Sequence, residues 1–193
     1  MAFPQPSFFD VLGVNTVAGA SFGAFTVAKT VIPTNSLCTV PPGYWTVGRY
    51  LEVEVWGGIG SLVTTPGTIT FQIMLAPGPI IVFSTGAMQL NASGHTNLPF
   101  YAKFLLTCQA VGSGVAAKFM GQSLVIGPQF TVTAAQVDGV NSQTVMTAPK
   151  TAAAQGTGFD STVATTLDFW AGFSISDAAN TVKIEQYKAT SWN

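Results

Sequence analysis

The stretch 49–56 reads R-Y-L-E-V-E-V-W. Leu51, Val53 and Val55 share one parity; Tyr50, Glu52, Glu54 and Trp56 share the other. Successive strand side chains point to opposite faces, so this is a strand with an apolar inner side and a mixed outer side. The same period of two recurs on both sides of it. Residues 68–75, T-I-T-F-Q-I-M-L, align Ile69, Phe71, Ile73 and Leu75. Further rows are Phe100, Ala102, Phe104, Leu106, Cys108 and Ala110, then Leu167, Phe169, Ala171, Phe173 and Ile175, then Val182 and Ile184. Shorter strands are expected over 21–32, 37–40, 79–85, 118–126, 130–133 and 144–147. Helical periodicity is almost absent.

Turn residues separate these runs: Pro41-Pro42-Gly43, Trp56-Gly57-Gly58, Pro66-Gly67, Pro77-Gly78-Pro79, Gly112-Ser113-Gly114 and Asp177-Ala178-Ala179-Asn180. Nine to eleven strands with such punctuation predict an all-β fold, a jelly-roll-like antiparallel β-sandwich. The chain has 193 residues, enough for one domain with its own core. Residues 1–20, rich in Phe, Pro, Gly and Val, are expected to form an extended N-terminal arm that docks on its own or a neighbouring subunit. Residues 21–193 are expected to form the single sandwich domain. Residues 148–163 read as an exposed small-residue loop.

Only 8% of residues are charged, against about 25% in an ordinary soluble domain, while 48% are hydrophobic and mean hydropathy is +0.42. A surface this poor in charge implies that something covers part of it. No run approaches the roughly 20 apolar residues of a spanning helix, and the barrel pattern is weak, so no membrane partner is expected. The basic residues Lys29, Arg49, Lys103, Lys118, Lys150, Lys183 and Lys188 are scattered, which excludes a phosphate-tracking stripe and direct nucleic-acid binding. The start, Met1 to Pro6, lacks the basic and apolar regions of a secretory leader, so folding in the cytoplasm is expected. In that setting Cys38 and Cys108 read as free core thiols, a disulfide being the alternative.

The chemistry of catalysis is sparse. His95 is the single histidine, set in a polar stretch with no nucleophile elbow. Metal ligands do not cluster; Asp138 and Asp160 read as turn-capping residues. Trp56-Gly57-Gly58-Ile59-Gly60 carries no phosphate-binding signature and reads as a strand-end turn. Glu52 and Glu54 share a strand face with Trp56, the one arrangement that suggests a glycosidase pair or a sugar-binding surface. An ordinary solvent or interface face accounts for the same spacing. No catalytic residue, metal or cofactor is therefore assigned, and the chain is expected not to be an enzyme.

Several segments in fixed order carry a family resemblance: Pro41-Pro42-Gly43-Tyr44-Trp45-Thr46-Val47-Gly48-Arg49, Gly57-Gly58-Ile59, Thr64-Thr65-Pro66-Gly67-Thr68-Ile69-Thr70, His95-Thr96-Asn97-Leu98-Pro99-Phe100, Leu106-Thr107-Cys108, Gly158-Phe159-Asp160-Ser161-Thr162-Val163-Ala164, Phe173-Ser174-Ile175-Ser176 and Asn180-Thr181-Val182-Lys183-Ile184. Over roughly residues 40–190 the chain resembles virion structural proteins of tailed bacteriophages. The resemblance implies a jelly-roll-like subunit on the capsid surface, assembled in the host cytoplasm. It further implies a head decoration (cement) protein that binds the major capsid protein and itself, as a trimer or dimer. A receptor- or carbohydrate-binding module of a head fibre or tail is the alternative. The candidate interface residues are Phe3, Phe8, Phe9, Trp56, Phe159 and Trp192.

Overall fold

The computed structural model describes residues 9–62, 64–130, 144–149 and 151–193. Its strands, in chain order, are β1 (Phe9–Val14), β2 (Ser21–Gly23), β3 (Lys29–Thr30), β4 (Cys38–Val40), β5 (Tyr50–Ser61), β6 (Thr68–Ala76), β7 (Ile80–Ser84), β8 (Met88–Gln89), β9 (His95–Ala110), β10 (Lys118–Gly127), β11 (Thr144–Ala148), β12 (Ala154–Gln155), β13 (Thr165–Phe173) and β14 (Thr181–Trp192). A 3-10 turn, Thr34–Ser36, precedes β4.

The strands form two antiparallel sheets packed as a sandwich. The larger runs β1-β14-β5-β9-β10-β11, with β2 beside β14 and β12 beside β10; the smaller runs β3-β13-β6-β7, with β4 beside β13 and β8 beside β6. The alternating apolar rows face each other between the sheets. Leu51, Val53, Val55, Ile69, Phe71, Ile73, Leu75, Phe104, Leu106, Leu167, Phe169 and Ile184 are all fully buried. Phe71 lies 5.3 Å from Phe100 and 5.4 Å from Phe169, and Phe104 lies 5.5 Å from Phe169, so aromatic rings bridge the two layers. Burying one such side chain contributes about 1.5–3 kcal/mol.

Several segments differ from the sequence expectation. The 21–32 run is two short strands, β2 and β3, because Ala24 takes a left-handed φ of 54° that breaks the ladder. The glycines after Trp56 do not end a strand: β5 continues through them to Ser61. A Cβ on Gly57 would strike the Lys183 carbonyl and the Phe100 ring, and one on Gly58 would strike the Asn97 side chain. Glycine is what lets β5 lie this close to its neighbours. By contrast Gly78 does serve a turn, the β6–β7 connection, where its φ of 73° suits a residue without Cβ. His95 opens β9 opposite Ser61 instead of lying in a loop. Phe130 makes an isolated bridge to Leu90, and the rest of the 130–133 expectation lies outside the described residues. The described part of the N-terminal arm is not free: β1 pairs with β14, from Phe9 opposite Trp192 to Val14 opposite Lys188.

The largest departure is at 148–163. Its small residues are mostly exposed as expected, at 151–155, Thr157, Thr162 and Val163, yet the segment also fastens the sandwich along one side. Ala154 and Gln155 pair with β10. The Gly156 amide donates to the Phe119 carbonyl of the larger sheet at 2.9 Å, and the Thr157 amide to the Ile81 carbonyl of the smaller one at 3.1 Å. Phe159 bridges Ala117 and stacks on Phe119 at 5.2 Å. It is 0% exposed, so it is a core residue and is withdrawn from the interface set. Phe159→Ala should therefore lower the unfolding free energy by about 3–5 kcal/mol in denaturant titrations. The assembly state of the folded variant should not change; a loss below about 1 kcal/mol would contradict the core assignment.

Candidate functional site

The two outer faces of the sandwich are chemically unlike. On the smaller sheet, the outward residues include Thr30, Thr39, Gln72, Ile81, Thr166 and Asp168, and four of them are tied in pairs. The Thr30 hydroxyl donates to Asp168 at 2.8 Å, Trp170 Nε1 donates to the same carboxylate at 2.6 Å, and Thr39 and Thr166 share a 3.2 Å hydrogen bond. Burial pushes the Asp168 carboxyl up, against these hydrogen bonds. Trp170 is thus folded onto its own sheet.

On the larger sheet, cross-strand register builds four transverse rows. One row is Val145–Ile126–Tyr101–Trp56–Gln186, from β11 to β14. The next is Thr147–Leu124–Lys103–Glu54–Lys188–Val14. The third is Gln122–Leu105–Glu52–Thr190–Val11, and the fourth Gln155–Met120–Thr107–Tyr50–Trp192–Phe9. Among the described residues no strand lies over this face. Phe9 is 63% exposed, Val145 61% and Trp56 38%; Val11, Val14, Tyr50 and Leu105 are exposed beside them. An antiparallel sheet with one solvated face ordinarily makes that face polar.

Aromatic pairs stand in the first and fourth rows, at opposite ends of this grid. Trp56 and Tyr101 meet at 4.7 Å with planes tilted by 41°, and Tyr50 stacks on Trp192 at 5.8 Å. Between them runs a ladder of alternating charge. Lys103 Nζ lies 2.7 Å from Glu52 and 4.0 Å from Glu54, while Lys188 Nζ lies 3.3 Å from Glu54. The Tyr101 hydroxyl donates to the other Glu54 oxygen at 2.8 Å. Burial alone would raise the Glu54 carboxyl. The Tyr101 and Lys188 hydrogen bonds and the two ammonium charges outweigh it, and the carboxyl sits below its ordinary range. Burial, then the Glu54 hydrogen bond and charge, push the Tyr101 hydroxyl well up. Glu54 is therefore held ionised, the reverse of the raised carboxyl that a glycosidase general acid uses.

Of the expected interface residues, Phe9, Trp56 and Trp192 come together on this one face, Phe159 is in the core, and Phe3 and Phe8 lie outside the described residues. Tyr50, Tyr101, Leu105, Val11 and Val145 join the face without having been singled out. The outward parity of β5 already pointed to Tyr50; the others depend on which strands pair. Asp160 behaves as a turn cap, accepting from the Thr162 amide and hydroxyl and from the Gly114 amide at 2.6–2.8 Å, and the Thr162 hydroxyl is the main cause that holds its carboxyl low. Asp138 lies outside the described residues. Among the described residues no group of three or more His, Cys, Asp or Glu side chains is placed to hold a metal. Cys38 and Cys108 are unbonded, and burial raises both thiols. Comparison with protein-family models and with curated proteins gives no significant match.

A carboxyl lowered in the folded state stabilises the fold above its unfolded value, about 4.3. That contribution is lost as the pH falls through the folded value. Urea midpoints should accordingly drop on acidification below about pH 4.3, and Glu54→Gln should flatten that drop. Parallel pH profiles for the two proteins would show that the ladder does not hold Glu54 ionised.

Proposed function

We propose that the chain is a non-enzymatic structural subunit of a tailed-bacteriophage virion, a decoration (cement) protein on the capsid surface. In this reading it binds the major capsid protein and other copies of itself, and it stabilises the head. The observation that carries the reading is the outer face of the larger sheet, where aromatic and aliphatic side chains lie open to solvent around a compact charge ladder. Contiguous exposed apolar surface of this kind marks an interaction site. The low charge count and the segment-by-segment resemblance to phage structural proteins support the same reading. A second reading, a receptor- or carbohydrate-binding module, is favoured by the two aromatic pairs, whose exposed rings suit stacking on sugars.

Heads of the encoding phage, purified without this chain, test the proposal. The added protein should bind them saturably in sedimentation assays and raise the temperature at which they release DNA. Trp56→Asp, still folded by circular dichroism, should weaken that binding at least tenfold, about 1.4 kcal/mol. Folded wild-type protein that stays in the supernatant would overturn the decoration reading. A glycan array giving ligands whose binding is lost in Trp56→Ala would favour the second one.

A further inference from the structure

We infer that the outer face of the larger sheet docks on the same face of a second copy, about a twofold axis that runs along the strands between β5 and β9. This rests on the proposal that the face is an interaction surface and adds which partner meets it.

Size is the first argument. Six strands spaced about 4.8 Å apart, carrying four side-chain rows, make a face of roughly 700 Å². A stable protein–protein interface buries about 800 Å² per partner. The whole face is thus the size of one interface, and a contact confined to one end of the grid would leave the aromatic pair at the other end wet.

Charge is the second argument. The ladder holds two lysines and two glutamates, so the face is neutral as a whole and has no preference for a strongly charged partner. The signs alternate across it, and Glu54 and Lys103 are directly opposite on adjacent strands. A twofold axis between β5 and β9 exchanges those two strands. It sets Glu54 over Lys103 of the second copy and Lys103 over Glu54. The same operation sets Trp56 over Tyr101 and Tyr101 over Trp56, the pair one row away on the same two strands. Self-complementary contacts in which each residue meets the other's counterpart define an isologous dimer. Packed sheets cross at about 30°; with the crossing point between the Trp56 and Glu54 rows these four residues stay in register and the two far rows are displaced. The smaller sheet offers no comparable charge pattern: of its outward residues Thr30 is hydrogen-bonded to Asp168 and Thr39 to Thr166.

A charge swap tests both the partner and the register. Wild-type protein should sediment as a dimer. Glu54→Lys places lysine against lysine across the axis, and Lys103→Glu places glutamate against glutamate, so each variant alone should dissociate to monomers at least tenfold more readily. Mixed in equal amounts, the two should form a heterodimer, because each axis contact then joins opposite charges. Circular dichroism and thermal melts of the separate variants identify any that fail to fold; if either does, Trp56→Asp replaces the swap and should also give monomers. A wild-type monomer at all concentrations, or a mixture that remains monomeric although both variants fold, would overturn the inference. Head binding is read separately. A wild-type monomer that still binds heads through this face removes the dimer and leaves the decoration proposal standing. A dimer that ignores heads does the opposite.

Discussion

Strand β5 is paired along most of its length on both sides, with β14 and with β9, and its register decides which side chains meet anywhere in the larger sheet. A slip of one residue would turn Leu51, Val53 and Val55 outward and bring Glu52, Glu54 and Trp56 into the core. The inner face enforces the register, because those aliphatic residues belong to one buried core with Phe71, Phe104 and Phe169. Once it is set, the outer face follows without further choice: Glu54 falls between Lys103 and Lys188, and Trp56 beside Tyr101. The glycines at 57 and 58 extend the same pairing past the point where a larger residue would collide with β14 or Asn97.

The unequal outer faces give this arrangement functional meaning. Both sheets bury their inner sides against each other, so the core alone does not require one outer side to be apolar. The smaller sheet ties Thr30 and Trp170 to Asp168 and Thr39 to Thr166, and Ile81 is its exposed aliphatic on β7. The larger sheet spends its few charges on one another and leaves aromatic rings and valines around them. Ion pairs at a surface contribute little stability on their own; here their arrangement neutralises the face. The low overall charge of the chain is thus partly concentrated in one place, where a covering partner would remove the cost of exposed apolar area.

Much of the fold was legible in the sequence. The alternation at 49–56, 68–75, 100–110 and 167–173 marks strands whose inward residues are in the core, and the turn at Pro77-Gly78-Pro79 falls where β6 meets β7. Other features were hidden for identifiable reasons. Gly57 and Gly58 imitate a turn because local propensity does not register a neighbouring carbonyl. The 148–163 segment is an exposed stretch whose ties to both sheets are hidden, because Gly156 and Gly158 lie against the Val82 and Val115 carbonyls and Phe159 is its buried anchor. Three residues of the candidate face, Phe9, Trp56 and Trp192, could be named from their aromatic character. The grid that joins them to Tyr101, Leu105 and Val145 depends on strand order, which a single sequence does not contain.

The central claim is that this face is covered when the protein is at work. Hydroxyl-radical footprinting of the assembled protein against its dissociated form tests it most directly, because Trp56, Tyr50, Trp192 and Phe9 react readily when wet. The account predicts that these four lose reactivity together on assembly, while Trp170 on the smaller sheet is unchanged. Equal labelling of the four in both states, or protection that appears at Trp170 in their place, would contradict it.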